Sequence, residues 1–216
     1  MKTSTIISVL TAALLLSVQS LKADDNRYLE AMQKSIKSVY KAESIEELQN
    51  SVNALERIAG AEKTKWEPYY YISFGYIRMA NLEQESIKKD AYLDQANSSI
   101  EKAVALNSNE SEIVALVGFI HMIRITVDPA TRGPQYSGLA MQTFGKASTL
   151  NPENPRALAL MAQMQFGTAK FFGSSTADAC NTTKTAIEKF ASYKSDNPLS
   201  PQWGNEMIQS LKKECN

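Results

Sequence analysis

The sequence is poor in the residues that build metal and catalytic sites. Its 216 residues include one histidine, His121, and two cysteines, Cys180 and Cys215. A metal site normally takes three or four ligands supplied together, so we predict neither a metal site nor a cofactor. His121 also lacks an acidic residue three or four positions away, which favours a structural or ligand-contacting role.

An excess of charge of either sign is also missing, because 23 lysines and arginines balance 23 acids. Nucleic-acid binding depends on clustered basic residues, and single-strand binding adds aromatics between them. No lysine or arginine cluster with aromatics between its members runs along a helix face, so we predict no nucleic-acid partner.

Recognisable catalytic motifs are absent as well. The chain has no nucleophile elbow, no phosphate-binding glycine loop and no paired-cysteine metal motif, which predicts that it is not an enzyme. Glu110, Glu112 and Asp128 would have to converge through folding, so a helical hydrolase is the least favoured function.

The first 23 residues predict a secretory signal peptide. A single early charge, Lys2, precedes an uncharged run from Ile6 to Val18. About a dozen apolar residues are too few for a stable transmembrane helix, which needs about 20. We expect cleavage after Ser20 or Ala23, no transmembrane anchor in the mature chain, and a periplasmic or secreted protein.

Glycine and proline are scarce, with nine and seven residues, and what remains has helical periodicity. The stretch from Ser111 to Pro152 is typical of one helix, a connection and a second helix. Its first half repeats apolar residues at helical spacing: Ile113, Val114, Leu116, Val117, Ile120 and Ile123.

Local signals also predict several helix boundaries. Ser44 and Glu47 form a capping-box pattern, and Gly60 is a candidate for the end of that helix. Helix starts are predicted where proline falls in a first turn: Trp66-Glu67-Pro68, Asn154-Pro155 and Ser200-Pro201. The glycines and prolines of 126–138 and 167–178 predict long connections there, with Gly133-Pro134 in a turn.

The helical pattern repeats along the chain. Gly75, Gly118 and Ala162 are 43 and 44 positions apart, and each follows a large apolar residue. The second helices repeat at 44 positions, with Ala96, Ile100, Ala103 and Leu106 matching Ala140, Phe144, Ala147 and Leu150. We therefore predict one domain over 24–216, with an N-terminal hairpin (24–65), three extended repeats (66–198) and a capping helix (199–216).

These repeats resemble the tetratricopeptide repeat (TPR) family. Ala140, Phe144, Ala147, Leu150 and Pro152 fit the family's second helix. The family's repeat has 34 residues, so each unit here carries roughly ten more. The resemblance implies an all-α, right-handed stack of antiparallel helical hairpins, with about nine helices and lengthened repeats. It also implies a concave groove that binds a protein or peptide, and no catalytic residue.

The family's register assigns nine residues to that groove, on the first helix of each repeat. An aromatic and methionine-rich surface is typical of adaptable binding sites. The residues are Tyr69, Ile72, Tyr76, Met79, Phe119, Met122, Arg156, Gln163 and Phe166. The alternative is that these side chains are ordinary core.

The run Tyr69-Tyr70-Tyr71 suggests a second function. Three consecutive residues span about 200° of a helix, so at least one tyrosine should be exposed or face the groove. Tyrosine offers a flat apolar face with a polar end, which suits a carbohydrate or another small ligand of the cell envelope. The competing interpretation places two tyrosines between helices and one at a boundary.

Cys180 and Cys215 predict a disulfide, because they are the only cysteines in a chain that we expect to be exported. They lie about 17 residues before and after a turn near Asn197-Pro198, so antiparallel packing sets them level. Closing a loop of about 35 residues should stabilise the fold by about 3–4 kcal/mol in the chain-entropy model.

Overall fold

The computed structural model describes residues 25–215, so the predicted signal peptide lies outside the described part. Within 25–215 the chain forms nine α-helices and no strand, which confirms the predicted all-α, TPR-like fold. The helices are α1 (25–41), α2 (Ile45–Ala61), α3 (Glu67–Leu82), α4 (Ser86–Leu106), α5 (Ser111–Ile125), α6 (Pro129–Leu150), α7 (Pro155–Phe172), α8 (Ala177–Ser192) and α9 (Asn205–Glu214).

Side-chain caps explain several helix starts. Ser44 Oγ accepts the N–H of Glu47 at 3.2 Å, as the capping-box pattern predicts. Asn154 Oδ1 accepts the N–H groups of Arg156 and Ala157, at 2.9 and 3.2 Å, and Pro155 occupies the first turn. Helix α3 begins at Glu67 with Pro68 in its first turn, so the predicted starts at Ser44, at Asn154 and at Trp66-Glu67-Pro68 are confirmed.

The predicted long connections were wrong, because the extra residues of each repeat lengthen its helices instead. Helix α6 begins at Pro129 and contains Pro134, so Gly133-Pro134 is helical and not a turn. Helix α7 continues to Phe172, and only residues 173–176 connect it to α8. Asp128 caps α6 by accepting the N–H of Thr131 at 3.2 Å, which starts the helix early.

Two other boundary predictions were wrong. Gly60 lies inside α2, which continues to Ala61. Helix α9 begins at Asn205 and not at Pro201, because Gly204 has a φ of 103° that interrupts the helix immediately before it.

The helices form two layers. In the inner layer α3 contacts α5, α5 contacts α7, and α7 contacts α9. In the outer layer α4, α6 and α8 each pack against inner helices but not against one another. Inner helices thus contact one another whereas outer helices do not, which is the arrangement expected of stacked hairpins that curve around their first helices.

The small residue that repeats on the first helices permits close packing. A Cβ atom added to Gly118 would lie 2.6 Å from Cδ1 of the Phe144 ring, and one added to Gly75 would lie 2.7 Å from Val52. At Gly75 and Gly118 the lack of a side chain thus lets a neighbouring side chain touch the backbone of the inner helix.

A disulfide joins Cys180 of α8 to Cys215, directly after α9, with a Cα–Cα distance of 5.5 Å. The predicted pairing is confirmed. It closes the C-terminal end around a small apolar cluster of α7, α8 and α9, separate from the main core. Among the described residues, none of the helices combines the length and apolar character needed to cross a bilayer.

Candidate functional site

The inner layer is partly covered by a segment of the same chain, residues 197–204, which we call the strap. The strap has no helix or strand and forms the second part of the connection between α8 and α9. Its main chain is held by two tyrosines: Tyr71 donates to the carbonyl of Leu199 at 2.7 Å, and the N–H of Gln202 donates to Tyr40 at 3.0 Å. The strap is thus fixed through its main chain to α3 of the inner layer and to α1, the kind of contact by which a bound peptide is held.

Trp203 is the anchor of the strap. Its ring stacks on Phe74 of α3 and on Phe119 of α5, with centroid distances of 5.0 and 5.6 Å. The indole N–H donates to Tyr70 at 3.0 Å, so the buried polar end of the side chain is also satisfied. Only 8% of Trp203 is exposed.

A buried ion pair lies beside the end of the strap. Arg156 Nε donates to both oxygens of Glu112, at 2.9 and 2.8 Å, and Nη2 donates to Oε1 at 2.6 Å. The guanidinium also lies 4.4 Å from the ring centroid of Tyr193. Hydrogen bonds from Arg156 oppose the effect of burial, which on its own raises the pKa of Glu112.

The nine residues predicted to line an open groove do not form one continuous surface. Phe119 lies under the strap, and Arg156 is 1% exposed in its ion pair. Tyr76 is buried, and burial followed by the nearby Glu56 carboxylate of α2 raises the pKa of its phenol. Partner binding by the nine residues stays a prediction, although the open surface on which it was based is absent.

The others lie mostly in the cores. Ile72, Met79 and Met122 are buried in the main core, and Phe166 is buried in the C-terminal cluster with Lys170 4.6 Å from its ring centroid. Gln163 is half-buried.

The tyrosine run follows the competing interpretation. Tyr70 and Tyr71 are fully buried between helices, whereas Tyr69 is half-buried at a boundary, with Lys102 5.8 Å from its ring centroid. Their partners in the strap were not apparent from the sequence, because Trp203 is 133 residues from Tyr70.

His121 is half-buried, and its ring lies 5.9 Å from that of Tyr136. Burial, followed by the charge of Arg124, lowers the pKa of the imidazole, so the neutral form is favoured. Within 25–215 no three histidine, cysteine or acidic side chains are grouped closely enough to hold a metal ion.

A different opening lies between α1 and α2, away from the strap. This α1–α2 groove has a volume of about 630 Å³, and Ala31, Ser35 and Ala54 are among the small residues that line it. Tyr28 and Ile58 supply larger apolar surface at the same place. A smaller groove of about 490 Å³ continues along the same helix pair.

The grooves are bordered by basic residues. Arg27, Lys34 and Arg57 line the first, and Lys34 is joined by Lys37 and Lys41 along the second. The side chains of Lys34, Lys37, Lys41 and Arg57 make no hydrogen bond or ion pair with any described residue. The spacing of 34, 37 and 41 places the lysines on one side of a helix, a signal that was readable in the sequence.

Taken together, the two layers of hairpins define an all-α, TPR-like helical scaffold. Its fold is similar to that of a thermophilic TPR protein from Thermus thermophilus, with a TM-score of 0.51 and 14% identity over 94% of this chain and 96% of that one.

A stronger similarity links the chain to the HusA haemophore from Porphyromonas gingivalis. The TM-score is 0.78 and the identity 25%, over 88% of this chain and 92% of the haemophore. No protein-family model matches the sequence, and no curated protein matches it.

Proposed function

We propose that this protein is an exported, non-catalytic carrier that binds a porphyrin of the haem class. The observation that carries the proposal is the similarity to a haemophore over nearly the full length of both chains. Of the functions considered from the sequence, this one belongs with the small-ligand binding proteins of the cell envelope.

Two features of the molecule support the proposal. The disulfide between Cys180 and Cys215 fits an oxidising compartment, as expected of an exported protein. The α1–α2 groove is open, partly apolar and bordered by cations, which suits a flat ligand that carries carboxylates.

A protein or peptide partner is the second candidate, favoured by the strap. Helices α3 and α1 already hold the strap through main-chain hydrogen bonds, and Trp203 adds an aromatic anchor on α3. A partner at that surface would have to displace Trp203, whereas a ligand in the α1–α2 groove would not.

Titration of the purified protein with protoporphyrin IX and with its iron(III) complex tests the proposal. We expect saturable binding with a stoichiometry near one, seen in the porphyrin absorption band and in quenching of the two tryptophans. Absorbance that rises without saturation for both porphyrins would refute the function. Capture of a protein partner that is lost when Trp203 is varied would favour the second candidate.

A further inference from the structure

The α1–α2 groove is long enough for a planar macrocycle to lie along it. It extends along α1 from Arg27 to Ser38, which is about 16 Å at a rise of 1.5 Å per residue. Ala31 on α1 and Ala54 on α2 leave the space between the helices open, because neither side chain extends beyond Cβ. The apolar surfaces of Tyr28 and Ile58 border this space.

The charge around the groove is unusual for this chain. Positive and negative residues balance over the whole sequence. Around the two adjoining grooves, however, Lys34, Lys37, Lys41 and Arg57 outnumber the acidic lining residues Glu47 and Glu62. Glu47 is partly occupied, because it accepts the N–H of Glu43 at 2.8 Å. The surplus cations are available for an anionic ligand.

We propose that the α1–α2 groove is the porphyrin site, with the ring against Tyr28, Ala31, Ala54 and Ile58 and the propionate carboxylates paired with Lys34 and Arg57. This assignment rests on the proposed function. It places the ligand on the first hairpin, on residues that the TPR resemblance did not implicate.

The donor atoms of the groove favour recognition of the ring and its carboxylates over recognition of the iron. Its lining residues include no histidine, cysteine or methionine. Tyr28 donates to Glu67 at 3.4 Å, and burial and that carboxylate raise the pKa of its phenol well above the usual range. The hydroxyl of Tyr28 is thus engaged with a residue outside the groove lining. We expect metal-free protoporphyrin IX to bind about as tightly as its iron(III) complex.

A charge-reversal pair tests the site. Lys34→Glu with Arg57→Glu reverses two exposed cations at the groove, so the fold should be retained. The matched control is Lys146→Glu with Lys184→Glu, which makes the same change in net charge on the outer helices α6 and α8. We expect the groove pair to weaken protoporphyrin IX binding at least roughly tenfold, equivalent to about 1.4 kcal/mol, and the control to bind like wild type.

Two further measurements test whether electrostatic attraction contributes to porphyrin binding. Affinity for protoporphyrin IX should fall as salt is added to the wild-type protein, and this dependence should be weaker in the groove pair. A porphyrin with four N-methylpyridinium groups has a similar ring but carries positive charge. Its affinity for the wild-type protein should be lower than its affinity for the Lys34→Glu, Arg57→Glu variant.

The possible outcomes distinguish a wrong assignment of the site from a wrong proposal of porphyrin binding. Equal loss of affinity in the groove pair and the control would overturn the assignment to this groove, as would unchanged affinity in both. Either result would leave porphyrin binding itself intact. Absence of saturable binding to the wild-type protein would overturn both the site and the proposed function.

Discussion

Arg156 shows how the tertiary structure changes the role of a single residue. The TPR register assigned it to a binding surface, but it forms a buried ion pair with Glu112 that joins α7 to α5. Its aliphatic stem also packs near Gly204, where a Cβ atom would lie 3.3 Å from Arg156 Cγ. One side chain thus joins α7 to α5 and also contacts the end of the strap.

We predict that Arg156→Ala lowers the free energy of unfolding by about 3–5 kcal/mol, because Glu112 would be left buried without its partner. Lys189→Ala is the control, since it removes the more exposed Lys189–Glu153 pair and should cost about 0–1 kcal/mol. Urea denaturation measures both. Similar losses in the two variants would contradict a special role for the buried pair.

At the scale of helices, close approach depends on which positions lack a side chain. Gly118 of α5 is in contact with the ring of Phe144 from α6, and this pair joins the two helices of the central hairpin. Gly145 is also helical, yet nothing lies within 4 Å of the position where its Cβ atom would be. The two glycines should therefore respond oppositely to the same substitution.

We predict that Gly118→Ala destabilises the protein by about 1–3 kcal/mol through overpacking against Phe144. Gly145→Ala should stabilise it by up to about 1 kcal/mol, because alanine loses less backbone entropy in a helix. Thermal melts of the two variants beside wild type give the comparison. A Gly118→Ala protein as stable as Gly145→Ala would mean that α5 and α6 are not so closely packed.

At the scale of the whole molecule, the C-terminal region closes the stack. The strap covers the aromatic part of the inner layer, α9 packs against α7 and α8, and the disulfide fixes α9 to α8. Terminal helices of stacked repeats commonly cover the last apolar face. Here the same region also covers the middle of the inner layer, through Trp203.

We predict that Cys180→Ser with Cys215→Ser lowers the free energy of unfolding by about 3–4 kcal/mol, since the unfolded chain regains the entropy of an open loop. Wild-type protein unfolded under reducing conditions should match the double variant. Denaturation midpoints measure the effect. A midpoint equal to that of the oxidised wild type would show that the bond adds nothing to the stability of the fold.

The sequence determined the features that depend on neighbours along the chain. Helical periodicity, caps such as Ser44 and Asn154, and the recurrence of Gly75 and Gly118 all arise within a few turns of one helix or one repeat. They were sufficient for the all-α fold and, with the count of cysteines, for the disulfide. The lysines of α1 were also readable as one face, but not as the border of a groove.

Only the tertiary structure decided what covers the inner layer and where an opening remains. Trp203 meets Tyr70 across 133 residues, and Leu199 meets Tyr71 across 128. No local pattern specifies such a contact, because many apolar segments can satisfy the same exposed aromatic surface. The α1–α2 groove has a similar origin, since the space between two helices depends on the side chains that both present to it.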